Sequence, residues 1–160
     1  DTICQLVGKD DPFNVDEKDF IKAHAIFSVL LDQMVDYYET EHYIFVHGWI
    51  PCWDRGANKY TMENAFIYNS EWRGLSTRDW KQARWRNGID CAKHGIIEPN
   101  KTIICGHWHC SYGHWLDNPD KYSSSIGEDS NFEPYYADGI IAIDACTAYS
   151  GKVNCIVIDD

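Results

Sequence analysis

His107 and His109 lie two apart in the stretch Thr102-Ile-Ile-Cys-Gly-His-Trp-His-Cys110. Imidazole is the commonest side-chain metal ligand at neutral pH. The β-branched run from Thr102 to Ile104 predicts a buried strand. On an extended segment, side chains two apart point the same way. The strand is therefore expected to end in two imidazoles aimed at one place. Gly106 precedes them and, lacking a side chain, lets the backbone turn and a ligand approach. Taken alone, the stretch is equally readable as a loop with two surface histidines.

Tyr43-Ile-Phe-Val-His-Gly-Trp49 repeats the pattern, a hydrophobic strand running into His47 and then Gly48. Two buried strands, each ending in His beside Gly, predict a site at one edge of a sheet, where ligands of open α/β sheets bind. His47, His107 and His109 are the candidate metal ligands. A structural zinc on Cys105, His107, His109 and Cys110 is a weaker reading. Those four are crowded for one tetrahedral ion, and the usual zinc spacings are absent.

The rest of the chain must supply the elements that position these residues. Lys9-Asp-Asp-Pro12 is a turn signal. Asn14 or Asp16 can cap a helix start. Phe20, Ala23, Phe27, Leu30, Leu31, Met34 and Tyr38 recur at steps of three and four, predicting a helix of about six turns with a core-facing stripe. His24, beside that stripe, reads as structural. Pro51 and Gly56 break the chain after the His47 strand, and residues 61 to 72 can form a helix. Ser76-Thr-Arg-Asp79 has the capping-box form with Asp for Glu. The helix it opens carries Trp80, Ala83, Arg84 and Asn87, with Gly88 suited to its C-terminal end.

Residues 110 to 138 show no sustained period and read as a long loop, a frequent home of function. Tyr112 and His114 there are near enough to the histidines to touch a ligand, and equally suited to packing. Ile140-Ile-Ala-Ile-Asp-Ala145 and Gly151-Lys-Val-Asn-Cys-Ile-Val-Ile158 read as a hairpin-like pair of closing strands. Strands near 43–47, 101–105, 139–144 and 152–158, with helices between, predict an α/β fold in one domain over residues 1–160.

Val46-His-Gly48, Gly106-His-Trp-His109 and the closing strands, in that order, resemble the last part of the calcineurin-like metallophosphoesterases, over roughly residues 43 to 158. The resemblance implies a partial α/β sandwich, a mixed sheet flanked by helices that lacks the N-terminal half. It implies a dinuclear centre of Mn, Fe or Zn, with His47 and His107 on one ion and His109 on the other. The implied function is hydrolysis of phosphate esters, with a phosphoprotein or nucleotide as substrate. Arg84-Trp-Arg-Asn-Gly88 is similar to an Arg-Trp segment of bacterial members. Arg84 is accordingly the candidate phosphate clamp, since guanidinium grips phosphate through two donors; a solvated helix Arg is the plainer reading. Trp53-Asp-Arg-Gly56 matches only the end of the family's second metal motif, without its opening Gly-Asp. The family's three earlier motifs, which supply the bridging Asp, an Asn ligand and an acid His, do not occur whole here, so no catalytic residue is assigned. The expectation is a C-terminal fragment, inactive alone, of an active parent. A second reading keeps the histidines without catalysis, as a metal-binding or interaction domain with one structural ion on His47, His107 and His109.

Composition narrows the partners. A formal charge of −11 over 160 residues disfavours nucleic acid and anionic membrane, which attract basic surfaces. A phosphorylated substrate stays compatible, because metal ions can supply local positive charge. No apolar run approaches the ~20 residues of a membrane span. Asp1-Thr-Ile-Cys4 is no secretory leader. Seven cysteines, an odd number without framework spacing, predict a reduced, cytoplasmic protein. Half a sandwich would leave one sheet face uncovered, and the expectation is self-association through it.

Overall fold

The computed structural model describes residues 2–31, 33–54 and 66–159. They fall into two compact units, residues 1–35 and 36–160. In the first, helix α1 (Thr2–Val7) and helix α2 (Glu17–Leu31) flank a 3-10 turn, Pro12–Asn14. Asp16 caps α2: its Oδ1 accepts from the backbone N–H groups of Lys18 at 2.9 Å and Asp19 at 3.0 Å, while Asp19 Oδ2 accepts from Asp16 N at 2.9 Å. These bonds satisfy donors that a helix start leaves free. The helix stops well short of the predicted Tyr38. The apolar stripe is core only in part: Ala23 is buried, whereas Phe20 and Met34 are exposed.

The second unit is an α/β fold. Its five-stranded mixed sheet has the order β1 (Tyr37–Glu39), β2 (Tyr43–Val46), β5 (Thr102–His109), β7 (Ile140–Asp144), β6 (Tyr135–Ala137). The three central strands run parallel, and each outer strand is antiparallel to its neighbour. Two residues each of β3 (Trp53–Asp54) and β4 (Phe66–Ile67) make a separate small ladder. Pairing with β2 overrides helical periodicity at Tyr37–Glu39. Such overrides by tertiary context are ordinary.

Register explains the core. Ile44, Ile103 and Ile140 lie side by side on adjacent strands, as do Cys105, Ala142 and Tyr135, and all are buried. That face packs on helix α3 (Thr77–Ala83), through Trp80 and Ala83, and on α4 (Gly88–Lys93), through Ile89 and Cys91. Helix α5 (Cys110–Asp117) adds Cys110. The opposite face carries the row Tyr38, Phe45, Ile104, Ile141, Tyr136, with both outer tyrosines exposed. Tryptophans dominate the interior because they bury large areas. Two of their polar edges are matched: Trp49 Nε1 donates to the Ile96 carbonyl at 2.9 Å, and Trp72 Nε1 to Glu98 Oε2 at 2.8 Å.

Several expectations fail for identifiable reasons. Residues 152–158 form no strand, because β5 and β6 occupy both hydrogen-bonding edges of β7. Val153 and Val157 there are strongly exposed. The predicted loop 110–138 begins with α5, which follows His109 directly, and it also contains β6. Helix 61–72 is not formed in its described part; Phe66–Ile67 pair as β4 and Trp72–Gly74 make a 3-10 turn. Positions 61–65, like Arg55 and Gly56 of the Asp-Arg-Gly match, lie outside the described residues. At α3, Asp79 Oδ2 accepts from the Ser76 N–H at 3.2 Å, as the capping pattern predicts, and also from the Ser76 hydroxyl at 2.6 Å. Gly88 does not close that helix. It opens α4, whose cap is Asn87, with Oδ1 accepting from Ile89 N at 3.1 Å and Asp90 N at 3.3 Å.

Candidate functional site

The C-terminal ends of β2, β5 and β7 define one sheet edge, and His47, His107, His109 and Asp144 all lie along it. His47 and His107 come together, with ring centroids 4.9 Å apart and planes 53° apart. The Trp85 indole stands nearly perpendicular to both, 6.4 Å from His47 and 5.1 Å from His107 between centroids.

Gly48 makes this arrangement possible. A Cβ there would sit 2.5 Å from the Arg84 carbonyl oxygen and 2.6 Å from that of Ala83. No side chain fits, so the chain after β2 lies against the end of α3, fixed by Trp49 N–H donating to the Ala83 carbonyl at 3.0 Å. Trp85 thereby reaches the imidazoles. Gly88 serves the same packing from α4, since its Cβ would strike the Trp49 ring at 2.6 Å.

Gly106 does not supply the expected turn. His107 itself takes the left-handed conformation, at φ 62°, and the β5–β7 register shifts between Cys105 and His109. A non-glycine residue rarely adopts that conformation, and strain of this kind concentrates at functional sites. The bulge also breaks strict alternation, so His107 and His109 do not share one direction. His107 joins His47. His109 lies near-parallel to Trp108, 6.2 Å away at 29°, and its Nδ1 is 2.7 Å from Ser111 Oγ.

That last contact fixes a tautomer. The Ser111 hydroxyl donates to the Ser125 carbonyl at 2.5 Å, so its oxygen accepts from His109 Nδ1–H. The proton is held on Nδ1, and the lone pair stays on Nε2. Ligating histidines are commonly oriented in this way by a second hydrogen bond. Burial lowers the pKa of His109, against the opposing field of Asp144. Burial also lowers that of His47, helped by the like charge of His107 and by Arg84, and opposed by Asp144. Both imidazoles are thus biased toward the neutral form that metals bind.

Asp144 is the residue the sequence reading missed. It faces His109 in the β5–β7 register, and its carboxylate field reaches both His47 and His109. Its Oδ1 accepts from Cys146 N at 2.7 Å. The available signal was the same one that marked His47: a hydrophobic strand running into a ligand-type residue at this edge.

Other candidates resolve differently. Arg84 is ion-paired with Asp36, its Nε 2.9 Å from Oδ1 and its Nη2 on the same oxygen. Tyr112 donates to Asp90 Oδ1 at 2.9 Å and packs between Trp108 and Trp115, and His114 Nε2 bonds the Glu133 carbonyl at 3.1 Å, so both are packing residues. All seven cysteines are free thiols. Cys105 and Cys110 are buried, and burial raises both thiols, Cys110 to about 11. Cys110 Sγ donates to the Ala142 carbonyl at 3.0 Å inside the core, and Cys105, His107, His109 and Cys110 do not come together as a ligand group. Among the described residues, no three His, Cys, Asp or Glu side chains form a group able to hold an ion. The donors at this edge fit a paired imidazole site plus a separate, pre-oriented imidazole; they do not fit a closed single-ion cage. No described helix is long and apolar enough to cross a membrane.

Comparison with protein-family models, with curated proteins and with solved structures found no match to this chain.

Proposed function

We propose that this chain carries imidazole ligands of a metal-dependent phosphoesterase resembling the calcineurin-like enzymes. The observation that carries the reading is the pairing of His47 with His107, from two adjacent parallel strands, at 4.9 Å between ring centroids. His109, with its Nε2 lone pair free and its ring turned elsewhere, supports a second ion position. Divalent cations held there would neutralise phosphoryl charge and make water acidic enough to attack at neutral pH. The chain's own groups orient: Ser111 holds His109 in the ligating tautomer, and Trp85 shields the His47–His107 pair. Arg84 remains the candidate phosphate clamp. Asp36 takes its Nε and Nη2, leaving Nη1 outside that pair. The Asp144 carboxylate field reaches His47 and His109 and would add negative charge beside them.

The competing reading is a non-catalytic metal-binding or interaction domain with one structural ion on His47, His107 and His109; the described residues hold no group of three ligands, which weighs on either reading. The test is a Zn²⁺ titration of ¹⁵N-histidine-labelled protein. His47 and His107 ring signals should move together at the first equivalent. Saturation that leaves both signals unmoved would sink the reading. Self-association through the sheet face bearing Tyr38 and Tyr136 belongs to the same proposal. Sedimentation should show a concentration-dependent oligomer that Tyr136→Ser weakens; a strict monomer excludes it.

A further inference from the structure

We propose that the cavity beside Arg86 is a binding site for a small monocarboxylate with an apolar body. The cavity, of about 200 Å³, is lined by the chain leading into β3, through Pro51 and Trp53, and by the α3 region, through Leu75, Asp79, Gln82 and Arg86. It is smaller than the roughly 300–1,000 Å³ of pockets that take drug-sized molecules, so its ligand is small. None of these residues belongs to the histidine edge, and the inference goes beyond the phosphoesterase reading.

Arg86 carries it. The residue is half-buried, and its Nε is buried without a hydrogen bond. Nη2 donates to the Cys52 carbonyl at 3.3 Å, and the guanidinium lies 4.8 Å from the Phe66 ring centroid. Arg73 and Arg84 are ion-paired with carboxylates, whereas Arg86 has no such partner among the described residues. A chain of net charge −11 does not leave this cation unpaired for want of acids. A part-buried charge without a counterion is costly, and an anion entering the cavity offsets that cost.

Guanidinium grips carboxylate and phosphate alike through paired donors. Asp79 decides between them. Of the lining residues, Arg86 is the cation and Asp79 the anion, so the lining is balanced and repels a dianion more than a monoanion. Asp79 and Gln82, three apart, share one face of α3. Arg86 is fixed just beyond that helix, its N–H donating to the Ala83 carbonyl at 3.1 Å. Pro51, Leu75 and the Trp53 indole give the ligand's body an apolar setting.

The test titrates the 160-residue chain with isovalerate, isovaleramide and inorganic phosphate, followed by NMR at the Arg86 Nε–H and Trp53 indole N–H signals. Isovalerate should shift both and bind at least about tenfold more tightly than isovaleramide, the contribution of a hydrogen bond to a charged group. Phosphate should bind more weakly than isovalerate. Arg86→Lys keeps the charge but loses the planar fork, and should weaken isovalerate about tenfold. Gln82→Trp, at an exposed position, should fill the cavity and abolish binding while leaving the fold intact. Isovaleramide matching isovalerate, phosphate binding more tightly, or no isovalerate binding at all overturns the site. So does isovalerate binding that survives both variants, or that requires Zn²⁺, which would place it at the histidines.

Discussion

His47 and His107 stand 4.9 Å apart between ring centroids, although they come from different strands and His107 holds a backbone conformation rare outside glycine. The strand pairing Val46↔Cys105 brings their chain segments level, and the left-handed turn at His107 closes the remaining distance. Two imidazolium groups held this close would repel each other.

Burial at this edge sets a pH signature. His47 and His109 both have folded pKa values below the ordinary 6.5. The unfolded chain therefore binds more protons between those values and 6.5, and stability falls as pH drops through that window. Histidine ring signals followed by NMR should titrate below 6.5 at both positions. Either one titrating at or above its free value contradicts the assigned burial.

Metal affinity should be weak and ordered. Imidazoles with few carboxylates lack the charge that offsets dication desolvation, and nitrogen ligands favour zinc over manganese. Calorimetry should show Zn²⁺ binding more tightly than Mn²⁺, with His47→Ala and His107→Ala each weakening Zn²⁺ about tenfold or more, as loss of ligand orientation does elsewhere. Tight uptake of two Mn²⁺ equivalents would reveal carboxylate ligands beyond those proposed.

Turnover by these 160 residues should be small. Hydrolysis by two metals depends on both ions being fixed together, and the motifs that supply a bridging Asp and an acid are absent from this sequence. With Mn²⁺ and p-nitrophenyl phosphate, the rate should barely exceed that of a His107→Ala control. Robust turnover abolished in that control means the site is complete within the chain.

Gly48→Ala should disturb the site from behind. Its Cβ would meet two carbonyl oxygens of the α3 end, at 2.5 and 2.6 Å, and backbone cannot yield as a side chain can. Overpacking of this kind costs about 1–3 kcal/mol. Urea unfolding should register that loss, and Zn²⁺ affinity should fall as His47 shifts from His107. A variant of wild-type stability would show that the end of α3 is not pressed against β2.

Acid should weaken β1. Arg73 grips Glu39 through Nε at 2.8 Å and Nη2 at 2.5 Å, with Lys101 3.0 Å away, and holds its carboxyl at about 2 rather than 4.5. The depressed value contributes stability above pH 4.5, which is lost as pH falls from 4.5 toward 2. Glu39→Gln should lower stability at pH 7 by about 2 kcal/mol, typical of hydrogen bonds to charged groups, and should flatten the acid limb. An unchanged limb would assign acid sensitivity elsewhere.

Local chemistry made much of this legible. β-branched runs ending in His beside Gly located β2 and the start of β5, because strand propensity and burial are written in adjacent residues. The Ser76 and Asp16 caps were equally readable, since each is satisfied within four residues of chain. What sequence periodicity could not decide was which edges pair. β6 takes the free edge of β7, so Val153–Ile158 stay unpaired despite their strand-like composition. Nor could alternation reveal the bulge that sends His107 to His47 and leaves His109 with Ser111. Asp144 joins the edge only through a register set across three strands, and Trp85 only because Gly48, far along the chain, leaves room for the backbone of α3. Neighbouring residues along the chain set the residue types and the strand ends that carry them. Long-range pairing and packing chose which of those residues meet.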